Sequence, residues 1–198
     1  MWEYLLLGAV LLIVFAIIYK FLLNQDKKKL VKSLNDAGGS DYKYKWFSFD
    51  LRQIKPLTAI AIDENSKQVL LVIDKPYKYS FNDIRDVEIV IDEAETVNKS
   101  TLKTLGRAAV GGFLLGGVGA VAGAVSGSSN VNKKVKKLDL KIKTNSLDKS
   151  AHIITFFDST KDVIGGLRGV EANNPIYQKA AKSLEEWFEK FSVISEMK

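Results

Sequence analysis

The chain has 198 residues, 29 Lys and Arg against 23 Asp and Glu, one histidine and no cysteine. Disulfides and thiolate chemistry are excluded, and a single histidine leaves acid–base catalysis without its usual pair of groups. The net charge of +6 rests on Lys, with Arg only at 52, 85, 107 and 168; this is unlike a dedicated nucleic-acid binder, whose Arg forks read phosphate and guanine, and suits a surface facing anionic lipid.

Leu5 to Leu23 is apolar apart from Lys20. A helix rises 1.5 Å per residue, so about 19 residues cover the roughly 30 Å of bilayer hydrocarbon. Trp2, Tyr4 and Tyr19 supply interfacial rings, and Lys20 can carry its ammonium to the headgroups. A cleaved signal peptide wants a basic start and a small-residue exit; here Glu3 precedes the run and Phe21-Leu-Leu-Asn-Gln25 follows it. Residues 1–23 are therefore expected to be a retained transmembrane anchor. Lys20, Lys27, Lys28, Lys29 and Lys32 follow the span and only Glu3 precedes it. Excess Lys near a span stays cytoplasmic, so the expected topology is a single pass through the cell membrane, N-terminus outside and the rest inside.

Residues 24–41 read as a basic juxtamembrane neck. Leu30, Val31 and Leu34 stand at helical spacing, and Ala37-Gly-Gly-Ser40 is a stop. Lys27, Lys28 and Lys29 are candidate contacts for anionic lipid, or simply set the topology.

Residues 42–198 form one expected domain. Tyr42–Phe49 alternates and is aromatic, as a first strand would be. Thr58–Asp63 and Gln68–Asp74 flank the turn residues Asp63–Lys67 and predict a hairpin. Pro76–Phe81 and Val87–Ile91 predict two further strands, the second running into the acidic Asp92-Glu-Ala-Glu95. Leu138, Leu140 and Ile142 alternate on a core face, and His152–Phe157 completes a second hairpin. Asn174 and Pro175 open a closing helix with an apolar stripe of Ile176, Ala180, Leu184, Trp187, Phe188 and Phe191. The fold class is α+β.

Residues 107–127 are a glycine-rich apolar insert. Ala108, Gly112, Gly116, Ala120 and Ala124 recur every four residues, and Gly119, Gly123 and Gly127 make a second row. On a helix these rows leave a smooth face for close helix packing, while each glycine costs about 1 kcal/mol relative to alanine. The insert can be a hairpin dipping into the inner leaflet, a second full span, or a segment packed on protein. A full crossing would put Val87–Ile91 and Leu138–Lys143, expected in one sheet, on opposite sides of the membrane. Basic residues stand on both sides of the insert: Lys99, Lys103 and Arg107 before it, and Lys133, Lys134, Lys136 and Lys137 after it.

Tyr79–Ile84, Arg107–Ala120, Leu138–Lys143 and Ile153–Phe157 together resemble a group of uncharacterised bacterial and phage membrane proteins in which a PH-like domain is interrupted by a glycine-rich apolar insert. The resemblance covers roughly residues 58–190. It implies a PH-like antiparallel barrel or sheet closed by the C-terminal amphipathic helix, and it implies no activity.

Other motifs carry less. Gly117-Val-Gly-Ala-Val-Ala122 lacks the strand–turn–helix setting of a dinucleotide site, and no cofactor is expected. His152, at the start of a strand, is expected to be structural or exposed rather than a base or a ligand. Asp63, Glu64, Asp92, Glu93 and Glu95 match no calcium loop and read as strand-end solvation, so no metal is expected; Arg168, beside Gly165, Gly166 and Gly169, is either an anion contact or part of a plain turn. No enzyme is read here. The expected function is a non-catalytic binding or scaffold module at the cytoplasmic face, meeting anionic lipid through Lys27, Lys28, Lys29, Lys133, Lys134, Lys136 and Lys137. Its expected partners are membrane lipid and either further copies of the chain or another protein, with no nucleic acid. The alternative is a membrane oligomer assembled through Gly112, Gly116, Gly119, Gly123 and Gly127 that alters permeability or phage entry.

Overall fold

Gly38 carries φ 86° and ends the longest element among the described residues, because glycine enters that conformation without strain. A computed structural model describes residues 2–48, 58–92, 95–98, 134–160, 169–171 and 173–197. The chain divides into two units, Met1–Lys78 and Tyr79–Lys198, with the boundary inside a strand.

In the first unit, helix α1 runs Trp2–Leu34 and passes into a π turn, Asn35–Gly39. The expected anchor and neck are thus one helix, long and apolar enough to cross a membrane. The strands β1 (Tyr44–Phe47), β2 (Ala59–Asp63), β3 (Gln68–Val72) and β4 (Pro76–Ser80) make a four-stranded sheet in that order. β1–β2 and β2–β3 are antiparallel, with Ala61 opposite Lys45 on one side and Leu70 on the other. The β2–β3 turn is set by Asp63, whose carboxylate accepts the backbone N–H of Asn65 and of Ser66 at 3.3 and 3.1 Å.

Sequence alternation in β2 has a direct packing consequence. Ala59 and Ala61 lie on one face and Ile60 and Ile62 on the other, and all four are buried. The alanine face, with Leu70 and Val72, receives Leu30 and Leu34 of α1 and Tyr42. Small residues there let the helix approach the strands. Leu34 is 1% exposed, so the neck is a core element of the sheet it leads to.

In the second unit, a 3-10 turn Phe81–Asp83 leads into β5 (Ile84–Ile91). β5 pairs with β6 (Glu95–Asn98) on one side and β7 (Lys137–Thr144) on the other, and β8 (Ala151–Asp158) pairs with β7. All pairings are antiparallel and the order is β6-β5-β7-β8. Val87, Ile89, Leu138, Leu140, Ile142 and Ile154 are fully buried on the core face. The acidic stretch after Ile91 is not simply a turn: β6 begins at Glu95, a strand that its polar composition concealed.

Helix α2, Pro175–Glu196, packs on this sheet. The Asn174 side chain accepts the N–H of Ile176 and Tyr177 at 2.9 and 3.2 Å, capping it as expected. Its buried face is shifted from the expected stripe. Tyr177 and Ala181 are buried, whereas Ile176 is 47% exposed; from Leu184 onward the expected residues hold, extended by Ile194. Tyr177 meets Phe157 of β8 edge-on at 5.4 Å, so the first turn is oriented by an aromatic contact rather than by the more apolar isoleucine.

Candidate functional site

The first candidate surface is the basic collar of α1. Lys27, Lys28, Lys29 and Lys32 are all exposed, within about two and a half turns beyond the apolar run. Lys29 pairs loosely with Asp26 at 3.7 Å, a contact between exposed groups worth little. A shallow groove beside the helix end is lined by Lys29, Lys32, Ser33, Asp36 and Pro76. The apolar part of α1 is exposed around its circumference, for example Leu6 64%, Leu12 72%, Phe15 68% and Ile17 62%. A helix apolar on every side and uncovered by protein is suited to lipid.

The second candidate surface is the basic run after the insert. Lys134 and Lys136 are exposed. Lys137 is committed elsewhere: its ammonium lies 3.1 Å from the buried Asp139 carboxylate. Insert residues 107–127, with Gly112, Gly116, Gly119, Gly123 and Gly127, lie outside the described residues, as do Lys99, Lys103, Arg107, Lys133, Glu93 and Arg168.

The chain returning from that stretch is clamped on three sides. The Asp92 carboxylate accepts the N–H of Lys136 and of Lys137, both at 2.8 Å. The Lys136 carbonyl accepts the Ser159 N–H at 2.7 Å and the Ser159 hydroxyl at 3.1 Å. Val135 exchanges backbone hydrogen bonds with Val170 at 2.8 and 2.9 Å. Gly169, at φ 68°, lies so close that a Cβ would stand 3.0 Å from the Val135 carbonyl oxygen. Sequence reasoning took Asp92 for a strand-end solvating group; the short polar side chain after a strand, able to take the left-handed conformation, was the available signal. Asp92 does so at φ 51°.

Beyond the clamp, the face of β5 and β7 opposite the core carries an ion-pair row. Glu88 sits between Lys141 at 3.4 Å and Lys143, which also reaches Asp86 at 3.7 Å. Burial alone would raise the Glu88 carboxyl; the hydrogen bond and charge of Lys143, then those of Lys141, outweigh it and hold it below the ordinary range. Asp139 goes the other way: burial raises it more than Thr155 and Lys137 lower it. Direct strand register puts Glu88 opposite Lys141 and Asp86 opposite Lys143.

His152 lies on the core face, 1% exposed, with Nε2 2.7 Å from the Tyr79 hydroxyl and the two rings edge-on at 5.5 Å. Its partner is an aromatic hydroxyl in the core. Tyr177 is pushed up to about 12, by burial first and the Asp92 charge second, and so stays protonated. Asp63 holds a turn and Glu64 meets Lys43 at 3.1 Å. Among the described residues, no group of three or more His, Cys, Asp or Glu is placed to hold a metal ion.

Residues 44–158 match the family model described as the glycine zipper containing PH domain. The chain belongs to that family. The match begins at the first residue of β1 and ends at the last of β8, so the PH domain proper comprises both sheets and the intervening glycine-rich stretch, and leaves α1 and α2 outside. It starts earlier and stops sooner than the resemblance expected over 58–190. Two relatives share 33% identity over 121 residues, 60% of this chain. One is the "Immunity protein" of Bacillus phage SPbeta, covered over 57% of its length. The other is the "SPbeta prophage-derived uncharacterized membrane protein YomJ" of Bacillus subtilis, covered over 50%. The chain spans about half the length of the curated relatives it matches. No solved structure matches it.

Proposed function

We propose that this glycine zipper PH-domain protein is a membrane-anchored, non-catalytic binding or scaffold module at the cytoplasmic face of a bacterial membrane. The observation that carries the reading is α1: exposed apolar surface on all sides, then a collar of lysines, then two leucines buried in the PH-domain sheet. The name of the prophage relative, a membrane protein, supports it. Lys27, Lys28 and Lys29, with Lys133, Lys134 and Lys136, attract anionic headgroups at about 1 kcal/mol for each Lys near the surface. Lys137 contributes less, because its charge is already neutralised by Asp139. β5 and β7 pair antiparallel over their length, which supports reading both ends of the insert on one side of the membrane.

The native chain lacks cysteine, which permits a clean test. Asn65→Cys and Met197→Cys place probes at exposed positions, Met197 being 56% exposed; Ser195, by contrast, is buried and bonded to the Ser192 carbonyl. Both probes should resist an impermeant maleimide in intact cells and react once the membrane is opened. Labelling of either from outside refutes the cytoplasmic placement. Recovery of the protein in the soluble fraction refutes the anchor.

A second reading is favoured by the other relative, named an immunity protein. On it, the insert assembles copies into a membrane oligomer through Gly112, Gly116, Gly119 and Gly123, altering permeability or blocking an incoming phage. Changing those four to Leu should abolish crosslinked oligomers and exclusion of superinfecting phage together. Oligomers that survive the change remove this reading.

A further inference from the structure

Between Ala9 and Leu34 the chain contains no glycine and no proline, the residues at which helices most often kink. α1 is continuous across that interval. Its far end is fastened to the sheet. Leu30 is 6% and Leu34 1% exposed, packed against Ala59, Ala61, Leu70 and Val72. The turn that follows is tied down twice: the Tyr42 hydroxyl donates to Gln68 Oε1 at 2.9 Å, and the Lys45 ammonium donates to the Ser40 carbonyl. Gly39 is pressed so closely that a Cβ would stand 2.8 Å from Leu70 Cδ2 and 2.9 Å from the Leu34 carbonyl oxygen.

We infer that α1 is a rigid strut that fixes the height and rotational setting of the first sheet above the bilayer, an inference that rests on reading α1 as an anchor. From Leu23, at the edge of the apolar run, to Leu30 is seven residues, about 10 Å along the axis. The headgroup layer on each side of a bilayer is roughly 5–8 Å thick. The sheet is therefore held against the headgroups, and rotation or tilt of the span is carried into the sheet. A flexible linker of the same length would absorb both.

The test uses the full chain with Asn65→Cys carrying a donor fluorophore, in vesicles of phosphatidylcholine and phosphatidylglycerol with acceptor on the headgroups. One, two, three or four alanines are inserted between Asn24 and Gln25, and a further variant receives Gly-Ser-Gly-Ser at the same place. Each alanine should turn the sheet by about 100° and lift it by about 1.5 Å, so energy transfer should rise and fall with the number inserted. The Gly-Ser variant should shorten the slow rotational component of the anisotropy decay by about twofold or more. Leu34→Ala, which loosens the dock and leaves the linker alone, should shorten it part of the way. If the unmodified chain floats with the vesicles yet tumbles as fast as the Gly-Ser variant, the strut is wrong and the anchor stands. If it does not float, the anchor reading fails and takes the strut with it.

Discussion

Asp92 and Lys137 are joined twice: the Asp92 carboxylate accepts the Lys137 N–H at 2.8 Å, and the Asp92 N–H donates to the Lys137 carbonyl at 3.1 Å. Asp92 lies between β5 and β6, and Lys137 is the first residue of β7. One aspartate thereby fixes where β7 begins after the chain has left β6.

Asp92→Ala removes an acceptor from two N–H groups and puts a Cβ-bearing residue without a compensating side chain at φ 51°. The expected loss is about 2 kcal/mol, with Asp92→Asn losing under half of that, since Asn tolerates the conformation and keeps the acceptor oxygen. Denaturant unfolding of both variants checks the order. Amide exchange at Lys136 and Lys137 should accelerate in Asp92→Ala before exchange elsewhere in β7 does. Equal stabilities for Ala and Asn would show that the clamp contributes nothing.

The dock of α1 predicts two opposite failures of packing. Leu34→Ala leaves a hole beneath a residue 1% exposed and should cost about 2–5 kcal/mol. Gly39→Ala overfills the same place and should cost about 1–3 kcal/mol. Because the added methyl meets the Leu70 side chain, Leu70→Ala combined with Gly39→Ala should cost less than the sum of the two changes. Strict additivity in unfolding measurements would contradict the contact.

Tyr79→Phe takes the hydroxyl away from His152 in the core and should destabilise by about 1–3 kcal/mol. A cycle with His152→Leu should give a coupling energy of about 1 kcal/mol or more. A coupling near zero would mean that the histidine is held by its ring packing alone.

The two buried carboxylates of the second sheet respond to pH with opposite sign. Glu88 is lowered from 4.5 in the fold, so its stabilisation is present above that value and fades as pH falls through the folded one. Asp139 is raised from 3.8, so its contribution is present below that value and is lost as pH rises through the folded one. Glu88→Gln should cost about 1 kcal/mol at neutral pH and almost nothing in acid. Asp139→Asn should be neutral or stabilising by up to about 1 kcal/mol at neutral pH, since it removes a buried charge whose pairing with Lys137 does not repay its desolvation. Thermal unfolding of both variants across the acid range gives the signs directly.

The strands announced themselves wherever one face is apolar. Leu138, Leu140 and Ile142 alternate, and β7 follows; Asn174 and Pro175 start α2 because cap and first-turn chemistry are local. β6 was hidden because Glu95–Asn98 carries little apolar pattern and is a strand by virtue of its pairing with β5. The first turn of α2 was read one residue out of phase, because the contact of Tyr177 with Phe157 is twenty residues away in the chain. The lysine collar of α1 was legible as charge. That Lys137 is neutralised could be known only from register, which sets β7 beside its neighbours and buries Asp139.

What the sequence by itself determined is whatever depends on near neighbours: an apolar run long enough for a bilayer, the lysines after it, the hairpin turn at Asp63, the helix cap at Asn174 and the α+β order of elements. Tertiary structure decided the rest, because those relations join residues that no local pattern links. The neck became core when Leu30 and Leu34 found the alanine face of β2, the lone histidine became the partner of Tyr79, and Asp92 became the clamp at Lys137. Each is a close contact between residues between 25 and 73 positions apart, made only when the sheets form.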